Sequence, residues 1–183
     1  MRKKLSRNIY YENITYDNMF NIWKIVRRTC NSKRSLFYYS FNINTNLITI
    51  CNKLYNKTYT PSPYIKMLIH DGVRKKERII YKPKFYPDQI IHWALMQQIQ
   101  PIIQKGLYEY CCASVPNRGI HYGGKYIKKI LVNDRKNTKY ALKLDVKKFY
   151  PSINKEIMKR KFMRVIKDRD TLDLIDKIID SSE

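Results

Sequence analysis

Apolar residues recur along this chain at two different spacings, and the order in which those spacings alternate constrains the fold more than any other feature. Helical spacing covers residues 17–28, where Met19, Ile22, Trp23 and Val26 share one face and Asp17 is placed to cap. A polar, Asn-rich stretch follows, then a predicted helix ending near Tyr55, then the extended segment Thr58–Tyr64, read from its prolines. Tyr64–His70 and Glu77–Lys82 flank the turn Asp71-Gly72-Val73 and predict a β-hairpin with Arg74-Lys75-Lys76 at its tip. Pro87-Asp88 opens the clearest helix. Its buried stripe is Ile91, Ala94, Leu95, Ile99, Ile102 and Ile103, with Pro101 as a kink and Gly106 as a stop. A further helix is expected near Tyr122–Val132, with Ile127, Ile130 and Leu131 inward.

Residues 139–153 then change period. Tyr140, Leu142, Leu144 and Val146 alternate with Ala141, Lys143 and Asp145, which predicts a strand with Asp145 on the face opposite Leu144 and Val146. Asn154 is placed to cap a helix carrying Met158, Phe162, Val165 and Ile166, and a last helical run carries Leu172, Ile175 and Ile179. Helices and strands mixed in this order predict an α+β fold. A length of 183 residues allows one compact domain, or one and a half, with a real core.

Charge says more about partners than about fold. The chain carries 37 Lys and Arg against 15 Asp and Glu, a formal net charge of +22. The excess is uneven: +13 over residues 1–82, +7 over 83–144 and +2 over 145–183. Such a domain repels itself unless a polyanion shares its surface, and nucleic acid is the natural one, because each neutralised phosphate releases counterions. Coding bias toward A and T would also enrich Lys, Asn, Ile and Tyr, but it accounts less well for the shortage of Asp and Glu. The 16 tyrosines add surfaces on which bases can stack.

Several classes are set aside. No run of about 18 apolar residues exists to span a membrane. The basic start Met1-Arg-Lys-Lys is not followed by the apolar stretch of a secretory signal, so a cytoplasmic protein is expected. Cys30, Cys51, Cys111 and Cys112 form no C-x-x-C pair, and with three scattered histidines they do not make a zinc site; they read as small core side chains. Asp145 is different. A carboxylate at a strand end before the tight turn Phe149-Tyr150-Pro151, with the carbonyl of Val146 beside it, could present hard oxygens to Mg²⁺. It could equally do no more than balance Lys143, Lys147 and Lys148.

Four blocks together resemble the N-terminal half of bacterial reverse transcriptases, most closely those of diversity-generating retroelements and their retron-like relatives. They are TYTPSPY, then RKKERIIYKPKFYPDQIIHWALMQQIQPII, then CCASVPNRGIHYGGKYIKKIL, and YALKLDVKKFYPSI, which matches motif A of the palm. The likeness spans at least Thr58 to Ile153. It implies an N-terminal helical segment at 1–57, the fingers subdomain at 58–138, and the first part of a right-hand polymerase palm at 139–183.

The resemblance also implies roles. Asp145 would be the first catalytic aspartate and a ligand of two Mg²⁺ ions, completed by the Val146 carbonyl. Tyr150, with Phe149 beside it, would form the steric gate beneath the nucleotide sugar. Arg78, and more weakly Lys76, would grip the triphosphate. Arg74, Lys75, Arg118 and Lys125 would touch nucleic acid. The implied activity is RNA-directed DNA polymerisation, with template RNA, a DNA or RNA primer and deoxynucleotides as partners and an accessory protein left open. Two departures stand out. Val115–Gly119 is less basic than the corresponding loop of relatives, and the Y-x-D-D-type turn of motif C does not occur. Motif B would begin near Ser181–Glu183. The polypeptide alone is therefore expected not to polymerise: an expression fragment, a truncated gene or half of a split enzyme. The alternatives are a non-catalytic nucleic-acid-binding remnant and an antiviral-defence reverse transcriptase.

Overall fold

In the computed structural model, which describes residues 8–30, 33–71 and 76–182, the helical spacing of the sequence becomes α1 (Ile9–Asn13), α2 (Tyr16–Thr29), α3 (Lys33–Phe41) and α4 (Ile43–Tyr55). Two antiparallel strands follow, β1 (Ile65–Asp71) and β2 (Lys76–Lys82). After a π-helical turn at Phe85–Gln89 come α5 (Ile90–Gln104) and α6 (Ile120–Asn133), then a 3₁₀ turn at Tyr150–Ser152, α7 (Lys155–Val165) and α8 (Arg169–Asp180). The fold is mixed α+β, mostly helical, with one small antiparallel sheet among the described residues. It divides into two compact units. One runs up to Gln100 and resumes at Lys155; the other is Pro101–Asn154.

The first unit holds the core. Met19, Ile22, Trp23 and Val26 are buried on α2, as the spacing predicts, and α2 packs on α4, whose Leu47, Ile50 and Leu54 are also buried. Ile90, Ile91, Ala94, Leu95 and Ile99 continue the core on α5. Each such side chain contributes about 1.5–3 kcal/mol by leaving water. Aromatic rings join the helices to the bend before α5. Tyr39 of α3 lies 4.9 Å from Trp23 and 4.8 Å from Tyr86, and Phe85 meets both Trp23 and Tyr39 edge-on. The α3 helix falls within the stretch read from sequence as merely polar. Its outward residues hide the one position, Tyr39, that the core uses.

Asp88 clasps the extended Thr58–Tyr64 segment to this core. It is 1% exposed, and Oδ1 accepts from the Tyr59 hydroxyl at 2.7 Å and from the Ser62 amide at 3.3 Å. One turn on, the buried Nε2 of His92 has no hydrogen-bond partner among the described residues, and neither does Asp88 Oδ2. The N-cap of α2 is Thr15, whose Oγ1 accepts from the Asn18 amide at 3.3 Å, rather than Asp17. Asp17 sits in the first turn, where a negative charge still suits the helix dipole. Asp168 caps α8 and also accepts from the Tyr10 amide at 2.8 Å, so one carboxylate ties α1 to α8. Ile166, Leu174, Ile175 and Ile179 are buried, and α7 packs on α8.

The second unit has no fully buried residue. This corrects two expectations. Ile127, Ile130 and Leu131 of α6 are exposed instead of inward. Residues 139–146 form no strand, and Leu142 and Leu144 are 84% and 81% exposed. Their alternation fits a pleated ribbon, but a strand exists only where a neighbouring backbone supplies its hydrogen bonds, and no described segment pairs with this one.

Candidate nucleic-acid interface

The hairpin carries part of the cationic surface. Its register pairs Ile65 with Lys82, Met67 with Ile80, Ile69 with Arg78 and Asp71 with Lys76. Directly paired residues share a face, so Arg78 and Lys82 fall on one side of the ribbon. Arg78 is exposed there. Arg74 and Lys75 lie outside the described residues.

Asp145 is exposed, and among the described residues it takes part in no ion pair or side-chain hydrogen bond. Neither Lys143, Lys147 nor Lys148 pairs with it, so the charge-balancing alternative gains no contact here. The turn that follows is tight. Lys148 sits at φ 51°, a left-handed conformation that costs a non-glycine residue free energy, and its carbonyl accepts from the Ser152 amide at 3.1 Å. Phe149 and Tyr150 meet edge-on at 5.3 Å, with Tyr150 82% exposed. Val146 is exposed as well, at 60%. For two Mg²⁺ ions this is too little. Among the described residues no group of three His, Cys, Asp or Glu side chains could hold a metal ion. One carboxylate does not by itself fit a two-ion centre.

The loop before α6 and the helix itself make the more elaborate surface. Arg118, expected to reach for phosphate, is half-buried. Its Nη1 donates to the Glu109 carbonyl at 3.1 Å and, less closely, to that of Tyr108 at 3.5 Å. It braces the loop. A Cβ on Gly123 would stand 3.1 Å from Cys112 Sγ, so glycine at this position lets the loop lie against the helix. Tyr110 is thereby stacked on Tyr126, centroids 3.3 Å apart and planes 21° off parallel, and Tyr108 meets Tyr110 edge-on at 5.2 Å. Hydrogen bonding to Tyr126 is the largest influence raising the Tyr110 pKa, with desolvation and Glu109 adding to it, so the phenol is neutral at physiological pH.

Lys125 is exposed and borders two clefts. One, of about 410 Å³, also touches Ile120, His121, Gly124 and Lys128; the other, of about 280 Å³, lies among the tyrosines. The tyrosines were not singled out from the sequence. Their signal was present: Tyr122, Lys125, Tyr126 and Lys129 follow the i, i+3, i+4, i+7 rule of one helical face. Among the described residues no helix is long and apolar enough to cross a membrane. No protein-family model matches this chain, and no curated protein does either.

Proposed function

We propose that this chain is the fingers and opening palm of a reverse transcriptase, gripping an RNA template and its primer and offering Asp145 as one carboxylate of the polymerising centre. The observation that carries the reading is Asp145 itself. It is an exposed acid with no ion-pair partner among the described residues, set just before a strained aromatic turn in a chain of net charge +22. An acid left unneutralised amid so many cations suits a cation from outside the chain better than a structural role. Magnesium, when bound with further carboxylates, would supply charge stabilisation for nucleotidyl transfer. This chain's own residues would position: Arg78 on phosphate, Phe149 and Tyr150 against the nucleotide sugar, and the basic surfaces along the template.

Two measurements test it. The affinity of the chain for an RNA/DNA hybrid should fall steeply with salt, log K dropping by about 0.7–0.9 per phosphate neutralised for each tenfold rise. A flat dependence would remove the electrostatic basis of the proposal. In primer extension on an RNA template by the natural assembly, Asp145→Asn should abolish synthesis while leaving hybrid binding intact. The second reading, a non-catalytic nucleic-acid-binding protein, is favoured by the absence of companion carboxylates among the described residues. Extension that survives Asp145→Asn, or extension that never occurs, decides for that reading.

A further inference from the structure

α6 has two unlike faces. Ile120, Ile127 and Leu131 line one side, and Tyr122, Lys125, Tyr126 and Lys129 line the other, by helical geometry. An ordinary solvated helix has no need of tyrosines interleaved with lysines on its polar side. Here those tyrosines are organised further. The 108–112 loop is brought against α6 at Gly123 and held by Arg118, so that Tyr110 stacks on Tyr126 beside the lysines. The result is a cleft of about 280 Å³ lined by Glu109, Tyr110, Tyr122, Lys125, Tyr126 and Lys129. That volume is near the lower end for small-ligand sites, about 300 Å³ upward, which suits one planar group rather than a whole dinucleotide.

We propose that this cleft holds one unpaired base of a single-stranded nucleic acid, stacked on the tyrosine rings, with the flanking phosphates on Lys125 and Lys129. The chemistry needs both parts. Aromatic faces accept any base and so give affinity without sequence preference, while the ammonium groups track the backbone on either side. Glu109, also in the lining, disfavours phosphate inside the cleft, so a neutral base suits it better than the backbone. Lys125, shared with the neighbouring cleft of α6, would carry the strand onward past His121 and Lys128. The proposal rests on the nucleic-acid reading above and adds to it a single-strand site separate from Asp145.

The test uses the full chain and two labelled probes of equal length, an oligothymidylate of about 12 nucleotides and its abasic counterpart, read by fluorescence anisotropy. The base-bearing probe should bind about tenfold tighter, and Tyr126→Leu should erase that difference while Tyr126→Phe keeps it. Lys125→Ala with Lys129→Ala should weaken both probes alike and lower the salt slope by about 1–2. Because Tyr126→Leu could disturb the loop, the unaltered protein is also photocrosslinked to an iododeoxyuridine oligomer. Crosslinks at Tyr110, Tyr122 or Tyr126 support the site, and crosslinks confined to other residues overturn it. Equal, salt-sensitive binding of both probes by the unaltered chain removes the base cleft and spares the broader reading. Binding of neither probe, together with none of the hybrid, removes both.

Discussion

His92 shows how one side chain ties stability to pH. Burial holds its imidazole below the ordinary value of 6.5, and the nearby Asp88 carboxylate opposes that shift without reversing it. The folded chain therefore binds fewer protons than the unfolded chain as pH falls through 6.5, so protonation favours unfolding there. The unfolding free energy should fall from about pH 7 to about pH 5 by at most about 1.4 kcal/mol per pH unit for this single proton, and the melting temperature should fall with it. Thermal melts across that range check it, and His92→Gln should flatten the profile. A profile equally steep in the variant would assign the proton to another group. From the sequence Asp88 reads, with Pro87, only as the opening of a helix, and His92 carries no signal of its own. Asp88 is held by Tyr59 and Ser62, which lie 29 and 26 positions away and come near only once Thr58–Tyr64 folds back on the turn that carries Asp88.

At the scale of elements, helix termini separate local from tertiary stabilisation. Among the described residues the Thr15 hydroxyl makes a single capping bond, so Thr15→Ala should cost about 0.5–1 kcal/mol. Asp168 accepts from the amides of Asp170 and Thr171, from the Thr171 hydroxyl, and from the Tyr10 amide of α1. Removing it breaks a cap and a tie between two helices at once. Asp168→Ala should cost about 2–3 kcal/mol, measured as a lower urea midpoint at unchanged slope. Equal losses for the two variants would mean that the Tyr10 contact adds nothing. The helices α2, α4, α5 and α8 were legible because each buries a stripe recurring at 3.6 residues, and the β1–β2 hairpin was legible from its turn residues. Residues 139–146 carry an equally regular pattern and form no strand. Period two states which side chains would share a face; it does not supply the partner that makes a ladder.

For the whole molecule, net charge sets the response to ions. Residues 145–183 hold 8 of the 15 acids, and α8 gathers Asp170, Asp173, Asp176 and Asp180 beside Lys57 and Lys177 around a cleft of about 310 Å³. Lys57 meets Asp170 at 2.6 Å and Lys159 meets Asp180 at 2.6 Å, so part of the scarce negative charge is used inside the first unit. The remainder of the chain is left strongly positive. Screening should therefore stabilise this protein: its melting temperature should rise as sodium chloride goes from about 0.05 to 0.5 M, the range over which the Debye length falls below typical surface spacings. A melting temperature that falls with salt would show that ion pairs such as Lys57–Asp170 outweigh the repulsion.

Composition and periodicity alone determined that this chain is strongly cationic, that it mixes helices with a hairpin, and which residues of α2 and of α5 as far as Ile99 turn inward, because those properties are set by residues within a few positions of one another; Ile102 and Ile103, expected in the same stripe, are only half-buried. Tertiary structure decided the rest. It set Arg118 against the loop carbonyls, closed Tyr110 onto Tyr126, buried Asp88 under Tyr59, and left Leu142 and Leu144 in solvent. Each of those outcomes depends on whether a group distant in the chain arrives to accept a hydrogen bond, stack on a ring or complete a ladder, and no local pattern carries that information.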